Sequence, residues 1–393
     1  MNTLLSQVGR LFTAGRPVAL GVDVLLGDDA ILAVGGHGSL NVPAETGSYD
    51  CHGALLTAGL VDAHTHPIYP HPRLAEIAER AAGTSYAEIA ARGGGIVATV
   101  RQTRAASWDE LELGLRQRLR QWLLAGTTTV EVKTGYWLER EGELRAVRLA
   151  RRLADDLWLP HLAVTFLGAH GLPEEFAGRR QEFIEEVASW CPDAHHEGAR
   201  FADVFCDDGA FTVAEAELLL GRARTAGLAL RIHADELALT GGALMAARVG
   251  VVSADHLLCI GATEIAALAG SSAVATLCPV TALTMGRTPP ARELLAAGVP
   301  VALGSDHNPG TSGATTMSLI VWLAITELGL SVEQALSAAT LGGALSLSLS
   351  DRGQILPGMA ADLTLWDTDH EGAFAWNPDL RPLQVWRSGQ TRL

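Results

Sequence analysis

Basic side chains are scarce in this chain of 393 residues, which has a single lysine, Lys133, and 29 basic residues against 44 acidic ones. A formal net charge of −15 leaves no basic face for phosphate groups, so we expect no nucleic-acid partner. Long apolar runs are missing too, because the most apolar segment, Ser318–Leu330, is too short to span a bilayer and contains Glu327. With no secretory signal evident at the N-terminus, we expect a cytoplasmic protein without a membrane partner.

Cysteine is sparse and shows no C-x-x-C spacing. The five cysteines are Cys51, Cys191, Cys206, Cys259 and Cys278. Their scatter suits a reducing compartment and argues against a disulfide framework or a thiolate zinc site.

Two kinds of pattern divide the chain. Residues 1–56 contain short strand-like runs with turn residues between them, and residues 357–393 return to that pattern at Ala361–Trp366 and Leu383–Ser388. Residues 57–356 alternate apolar strands with helix-length segments. The sequence therefore predicts an α/β protein: a (β/α)₈ TIM-like barrel with a small composite β-sandwich domain built from both termini.

The predicted barrel strands read as nearly continuous apolar runs, which is typical of strands buried on both faces. They are Leu60–His64, Thr128–Lys133, Leu162–Leu167, Ala202–Cys206, Ala229–His233, Val251–Asp255, Ala273–Cys278 and Val299–Ser305. The clearest helical segments are Ser107–Ala125, Leu138–Asp156, Thr212–Ala226 and Pro289–Ala297.

Polar residues follow the ends of several predicted strands, where the active site of a (β/α)₈ barrel lies. They are His64, His66, His170, His233, His256 and Asp306. His64 and His66 are two residues apart, so in an extended strand both rings point to the same side. Three imidazoles and a carboxylate suit one divalent metal ion with a position left open for water. We expect the ligands to be His64, His66, His233 and Asp306.

A bound ion lowers the pKa of its water toward 7, which favours hydrolysis at a planar carbon. Two residues are candidates for proton transfer and for stabilising the developing charge in such a reaction. Glu236, in HADE, is placed to pass a proton from that water to a leaving nitrogen. The alternative is a carboxylate in the first turn of a helix. His256, in SADH, is either a hydrogen-bond donor to the developing oxyanion or a core histidine.

Further candidates lie on the loops after the strands. Arg73 is either a clamp for a substrate carboxylate or an ordinary surface arginine. Tyr136, after the second strand, is able to hydrogen-bond a substrate. The turn-rich stretch SDHNPGT adds Asn308, Gly310 and Thr311.

The motifs GLVDAHTH, HADE and GSDHNPGT together resemble the amidohydrolase superfamily. The stretches SYAEIAARGGGIVATVRQTRAAS, TTTVEVKTGYWL and VTFLGAH resemble, more narrowly, the imidazolonepropionase family of ring-opening hydrolases in histidine degradation. The resemblance runs from about residue 50 to residue 370.

This resemblance implies hydrolysis of 4-imidazolone-5-propanoate to N-formimidoyl-L-glutamate, with metal-bound hydroxide attacking the cyclic amide carbonyl. It implies one zinc or iron ion on the four ligands above, Glu236 as the group that activates water, His256 as the group that polarises the carbonyl, and Glu236 or Asp306 returning a proton to the ring nitrogen. The residues that it assigns to the small anionic substrate are Arg73, Tyr136, His170, Glu236, Asn308, Gly310 and Thr311.

A homodimer is common among similar enzymes. In two-metal barrels a carboxylated lysine bridges the ions. We expect a single ion here, because a second ion would need one further ligand besides Lys133.

Three departures from the family pattern concern the pocket more than the chemistry. They are the loop PIYPHPR before Arg73, the stretch LCPVTALTMGR, and His307 beside Asp306. Two rival functions remain at this point. A deaminase of a nitrogen heterocycle would use the same metal and release ammonia, and a non-enzymatic assembly protein would bind no metal.

Overall fold

The computed structural model describes residues 2–84, 88–89 and 92–393 of the chain. Residues 85–87, 90 and 91 belong to the stretch that carries the narrower family resemblance, and that part of it lies outside the described residues. Two eight-stranded sheets organise the rest.

Eight parallel strands are hydrogen-bonded to one another in chain order, which is the arrangement of a (β/α)₈ barrel. They are β6 (Leu60–Asp62), β7 (Thr127–Lys133), β8 (His161–Ala169), β9 (Phe201–Cys206), β10 (Ala229–Ala234), β11 (Ser253–His256), β12 (Val274–Leu277) and β13 (Val301–Leu303). The first and last strands meet just beyond their ends, where Ala63 N donates to Leu303 O at 3.2 Å and Asp306 N donates to His64 O at 2.9 Å. The predicted barrel is confirmed.

Helices follow the strands and share one large apolar core with them. Their bounds are Leu74–Ala81, Ile96–Ala105, Trp108–Leu124, Arg140–Leu153, Arg180–His196, Val213–Thr225, Gly242–Val249, Ala262–Ala269, Pro279–Thr284, Ala291–Ala296, Met317–Thr326, Val332–Ser337, Gly343–Ser346 and Ala373–Trp376, with a 3₁₀ turn at Glu174–Phe176 and a π-helical turn at Ala338–Gly342. Of the described helices, none has the length and apolar character needed to cross a membrane.

The second sheet joins the two ends of the chain. Its strands are β1 (Thr3–Phe12), β2 (Ala19–Leu26), β3 (Ile31–Gly36), β4 (Gly47–Asp50), β5 (Leu55–Ala58), β14 (Leu363–Trp366), β15 (Pro382–Arg387) and β16 (Gln390–Thr391). Strand β14 pairs antiparallel with β5, and this contact ties the C-terminal strands to the N-terminal ones. Leu5, Leu56 and Trp386 belong to the core of this sheet, so both termini build one β unit, as the sequence predicts.

The ends of six barrel strands differ from the prediction on the side that carries the polar residues: β6, β12 and β13 end earlier, whereas β8, β10 and β11 end later. Strand β6 ends at Asp62 rather than at residue 64, because the following residues bond with the segment after β13. His256 and Asp306 take left-handed backbone angles, with φ of 73° and 48°. Such conformations cost about 1–3 kcal/mol each in non-glycine residues and cluster at functional sites.

Candidate active site

Four side chains converge at the carboxyl end of the barrel. His66 Nε2 lies 3.2 Å from both His64 Nε2 and His233 Nε2, and Asp306 Oδ1 lies 3.5 Å from His66 Nε2 and 3.6 Å from His64 Nε2. Metal–ligand bonds of about 2.0–2.2 Å in a tetrahedral site separate neighbouring ligand atoms by roughly 3.4 Å. Burial lowers the pKa of the three imidazoles well below 6.5, so their lone pairs are available. The donor set and its spacing fit a divalent metal ion.

Carboxylates behind the ligands hold them in place. Asp255 Oδ2 accepts a hydrogen bond from His64 Nδ1 at 2.6 Å, and Asp203 Oδ2 lies 3.0 Å from His233 Nδ1. The proton that this bond holds at Nδ1 of His64 leaves its Nε2 as the coordinating nitrogen. Thr281 Oγ1 donates to Asp306 Oδ2 at 2.5 Å, which leaves Oδ1 facing the imidazoles.

These carboxylates belong to a fully buried layer of charges inside the barrel. Lys133 Nζ donates to Asp203 Oδ2 at 2.6 Å and to Glu131 Oε1 at 2.9 Å, and Arg231 lies 3.1 Å from Asp255 Oδ2. Burial alone would lower the pKa of Lys133, but Asp203 and Glu131 raise it above its ordinary value. Lys133 is therefore an ammonium paired with carboxylates, and it does not enter the histidine cluster.

Glu236 lies beside this cluster on a loop held by other carboxylates. Asp207 accepts the backbone N–H groups of Glu236, Leu237 and Ala238 at 2.6–3.0 Å. The next helix begins only at Gly242, so the alternative interpretation of Glu236 as a first-turn helix residue is wrong. Burial, then the charges of Asp306 and Asp207, raise the pKa of Glu236 well above its ordinary value.

His256 is the last residue of β11 and faces the same space. Its Nδ1 lies 3.8 Å from Glu236 Oε1, and its ring centroid lies 4.8 Å from that of His64. Burial lowers the pKa of His256 to about 4, so its imidazole is neutral near pH 7. A neutral ring at this place is able to donate one hydrogen bond to a substrate oxygen.

A cleft opens above the cluster. The residues predicted for the site that line it are His66, Arg73, Tyr136, His170, His233, Glu236, His256, Asp306, Asn308 and Thr311. His64 is fully buried, and Gly310 lies against the Arg73 guanidinium, where a Cβ atom would be 1.8 Å from Nη2. The structure thus brings together all twelve residues, whose individual roles stay predictions.

Arg73 is held rigidly at the edge of the cleft rather than on the open surface. Its Nε donates to Glu76 Oε2 at 2.8 Å and its Nη1 donates to Thr99 Oγ1 at 2.5 Å. Its side chain is only 5% exposed, so the alternative of an ordinary surface arginine is wrong. These bonds use one N–H group each of Nε and Nη1, so the remaining N–H groups of Nη1 and Nη2 are available to a ligand carboxylate.

Two loops position the remaining predicted residues. Glu143 accepts the backbone N–H groups of Gly135, Trp137 and Leu138 at 2.8–3.0 Å, which holds Tyr136 in the cleft wall. His170 Nδ1 bonds Gly135 O at 3.0 Å. In the last loop, the Asn308 amide oxygen accepts from Gly310 N and Thr311 N at 2.8 Å, an Asx turn that shapes the loop around Asp306.

Several residues around the cleft carried no usable signal in the sequence. The apolar lining residues are Ile96, Phe205, Leu237 and Met285. Nothing in their side-chain type separates them from core residues. Asp203 and Asp255 did carry a signal, because a lone carboxylate within a buried strand requires a partner.

Comparisons with known proteins agree with this geometry. The sequence model of the Amidohydrolase family matches residues 55–392. An imidazolonepropionase of Cereibacter sphaeroides is 41% identical over 366 residues, which are 92% of each chain. One from Anaeromyxobacter is 43% identical over 332 residues, 84% of this chain and 79% of the relative, and one from Desulfotalea psychrophila is 38% identical over 379 residues, 95% and 90% of the two chains.

Solved structures at lower identity share the fold alone. N-isopropylammelide isopropylaminohydrolase from Burkholderia multivorans superimposes with a TM-score of 0.76 at 21% identity, covering 99% of this chain and 97% of the other. A 5-methylcytosine deaminase from Klebsiella pneumoniae gives 0.77 at 16%, covering 100% and 97%. The family model and the relatives near 40% identity each span most of the sequence, and the chain belongs to the amidohydrolase family and, within it, to the imidazolonepropionases.

Proposed function

We propose that the chain hydrolyses 4-imidazolone-5-propanoate to N-formimidoyl-L-glutamate, a ring-opening step of histidine degradation. The observation that carries the proposal is the convergence of His64, His66, His233 and Asp306, with ligand atoms 3.2–3.6 Å apart, under a cleft that Arg73 borders. The names of relatives that align with most of the chain support the choice of substrate.

The proposed cofactor is one divalent ion, zinc or iron, held by those four residues. When bound, such an ion supplies a water that is acidic enough to act as a nucleophile near neutral pH and polarises the ring carbonyl. Asp255 keeps His64 in the tautomer that presents Nε2, and Asp203 Oδ2 lies 3.0 Å from His233 Nδ1. The buried carboxylate layer therefore supports coordination without touching the ion.

Proton transfer falls to Glu236 in this proposal. Its raised pKa, caused mainly by burial, makes the carboxylate a stronger base than an exposed glutamate. It accepts a proton from water as the water oxygen bonds to the carbonyl carbon. That proton then goes to the ring nitrogen as the C–N bond breaks, from Glu236 or by way of Asp306. The neutral imidazole of His256 donates to the carbonyl oxygen as that atom gains negative charge.

Arg73 binds the propionate group in this scheme. It is the one arginine or lysine among the described residues that line the cleft, so a small anionic substrate is oriented with its carboxylate toward that side. Glu76 and Thr99 hold the guanidinium, so little side-chain entropy is lost when the substrate binds. The proposed setting is the cytoplasm, which the five free cysteines favour, and the proposed assembly is a homodimer.

The test follows the ultraviolet absorption of freshly generated imidazolone propionate, with and without a chelator. We expect chelator-sensitive loss of absorption without release of ammonia. Arg73→Ala should raise KM at least about tenfold and leave kcat within a few-fold, because the lost contact is remote from the reacting carbon. The exposed Arg101→Ala, which loses a surface ion pair with Glu174 and a hydrogen bond to Gly93 O, is the matched control.

Other outcomes would redirect the assignment. Free ammonia from a heterocyclic amine, with no ring opening, would favour a deaminase on the same scaffold. Purified protein without metal, and without metal-restored hydrolysis, would favour a non-enzymatic assembly role. A fall in kcat of Arg73→Ala at unchanged KM would contradict the role given to Arg73.

A further inference from the structure

Cys278 adds a thiol to the wall of the metal cluster. It follows β12 directly, is buried, and belongs to the LCPVTALTMGR stretch that departs from the family pattern. Ligand atoms of His64, His256 and Cys278 all lie within 4.8 Å of one another. This second triad shares only His64 with the triad of His64, His66 and His233.

A second observation at the same place concerns His256. Its Nδ1 is buried and has no hydrogen-bond partner among the described residues; the nearest carboxylate oxygen of Glu236 is 3.8 Å away. Buried polar atoms of this kind are normally satisfied by a protein group, a water or an ion. The ring of His256 therefore has coordinating capacity that the protein itself does not use fully.

The three groups match a particular class of cation. A thiolate with two imidazoles is a soft to borderline donor set, which favours zinc or cadmium over harder ions. Bonds of about 2.3 Å to sulfur and 2.0–2.1 Å to nitrogen place the ligand atoms roughly 3.5 Å apart. The three ligand atoms now lie within 4.8 Å of one another, so side-chain rotations complete the site. The thiol releases its proton to solvent as the sulfur–metal bond forms.

His64 makes the two positions mutually exclusive. Its Nδ1 is hydrogen-bonded to Asp255, so Nε2 is its one coordinating nitrogen, and that atom already faces His66. An ion bound through Cys278 takes this nitrogen away from the first position and occupies His256 as well.

We propose that His64, His256 and Cys278 form a second, inhibitory position for a thiophilic divalent cation, Cd²⁺ or excess Zn²⁺. Binding there depends only on this triad. The inhibition, in contrast, rests on the proposed function, because it assumes that the first position and His256 serve hydrolysis. The two parts are therefore measured separately.

The binding experiment titrates Cd²⁺ into the purified metal-loaded full chain. A near-ultraviolet thiolate-to-cadmium absorption band should grow while the resident ion is released in equal amount. Cys278→Ser should weaken cadmium binding at least tenfold and remove the band. Cys259→Ser, which removes the half-buried thiol of another loop, should keep both signals.

Several results would overturn the site. They are the absence of the band in the wild type, its persistence in Cys278→Ser, or its loss in Cys259→Ser. If Cys278→Ser does not fold by circular dichroism, His256→Gln serves instead, since it keeps the thiol and should still weaken cadmium binding. A Cys278-dependent band without inhibition of ring opening would support the site and contradict the proposed role of His256.

Discussion

Two layers of buried polar side chains lie one above the other at the carboxyl end of the barrel, and they differ in charge and in the partners of their polar groups. The upper layer consists of the imidazoles of His64, His66, His233 and His256, whose pKa values burial keeps low. The lower layer consists of fully buried ions, namely Glu131, Lys133, Asp203, Arg231 and Asp255. In the proposed function the upper layer is completed by a cation from outside, whereas the lower layer contains its own cations, Lys133 and Arg231.

The lower layer also supplies the charge that the upper layer lacks. Its three carboxylates exceed its two cations by one negative charge, and Asp306 adds a second at the cleft. These two negative charges match the charge of the divalent ion in the proposed site. Substitutions in the upper layer should therefore abolish metal binding and catalysis. Substitutions in the lower layer should mainly lower the free energy of unfolding.

The largest effect is expected in the upper layer. His66→Asn removes a nitrogen that lies 3.2 Å from two other ligand nitrogens, so it should lower kcat/KM by about 10³-fold or more, since metal polarisation contributes several kcal/mol to transition-state stabilisation. Metal content per chain should fall in elemental analysis, while the urea unfolding midpoint of the metal-free protein stays near that of the metal-free wild type. Full metal occupancy in the variant would remove His66 from the ligand set.

The strongest test of the lower layer is Lys133→Met. This change leaves Asp203 and Glu131 without their ammonium partner in a fully buried place, so the free energy of unfolding should fall by about 3–5 kcal/mol. Urea unfolding of the metal-free protein measures the loss. The control is Arg148→Met, which removes half-exposed ion pairs with Glu141 and Glu197 and should cost less than about 1 kcal/mol. Equal losses in the two variants would show that the lower layer contributes no more to stability than half-exposed ion pairs do.

Asp255→Asn tests the contact between the layers. Asp255 accepts the Nδ1–H of His64 at 2.6 Å, and loss of such a carboxylate partner lowers metal affinity about 10–100-fold. Competition with a chromophoric chelator measures this affinity. Asp362→Asn, which alters a buried carboxylate paired with Arg352 outside the metal cluster, is the matched control and should leave the affinity unchanged. An unchanged affinity in Asp255→Asn would mean that the lower layer supports only the fold.

The two layers also differ in how far the sequence predicts them. His64, His66, His233 and Asp306 stand at the ends of apolar runs, so strand periodicity and barrel geometry were sufficient to bring them together. The partner of His64, Asp255, is 191 residues away, and the contact depends on ring closure that no local pattern encodes. The barrel was predictable for the same reason as the upper layer, namely repeated local patterns. The strand ends were not, since β6 ends where backbone hydrogen bonds to the segment after β13 begin.

The smallest predicted effect lies above both layers, where two departures from the family pattern meet. Tyr69, in the PIYPHPR loop, bonds His307 Nε2 through its hydroxyl at 2.8 Å, which ties the loop leading to Arg73 to the residue beside Asp306. The Arg118 guanidinium stacks on the Tyr69 ring, with 3.8 Å from Cζ to the ring centroid, so Tyr69→Phe should keep the packing and lose about 1 kcal/mol of hydrogen bonding. We expect a few-fold rise in KM at nearly constant kcat and unchanged metal content. The reason is that the lower layer positions the metal ligands, whereas the loop that contains Tyr69 positions Arg73. Lower metal content in Tyr69→Phe would show instead that the loop also contributes to metal binding. Metal binding would then depend on the loop as well as on the lower layer.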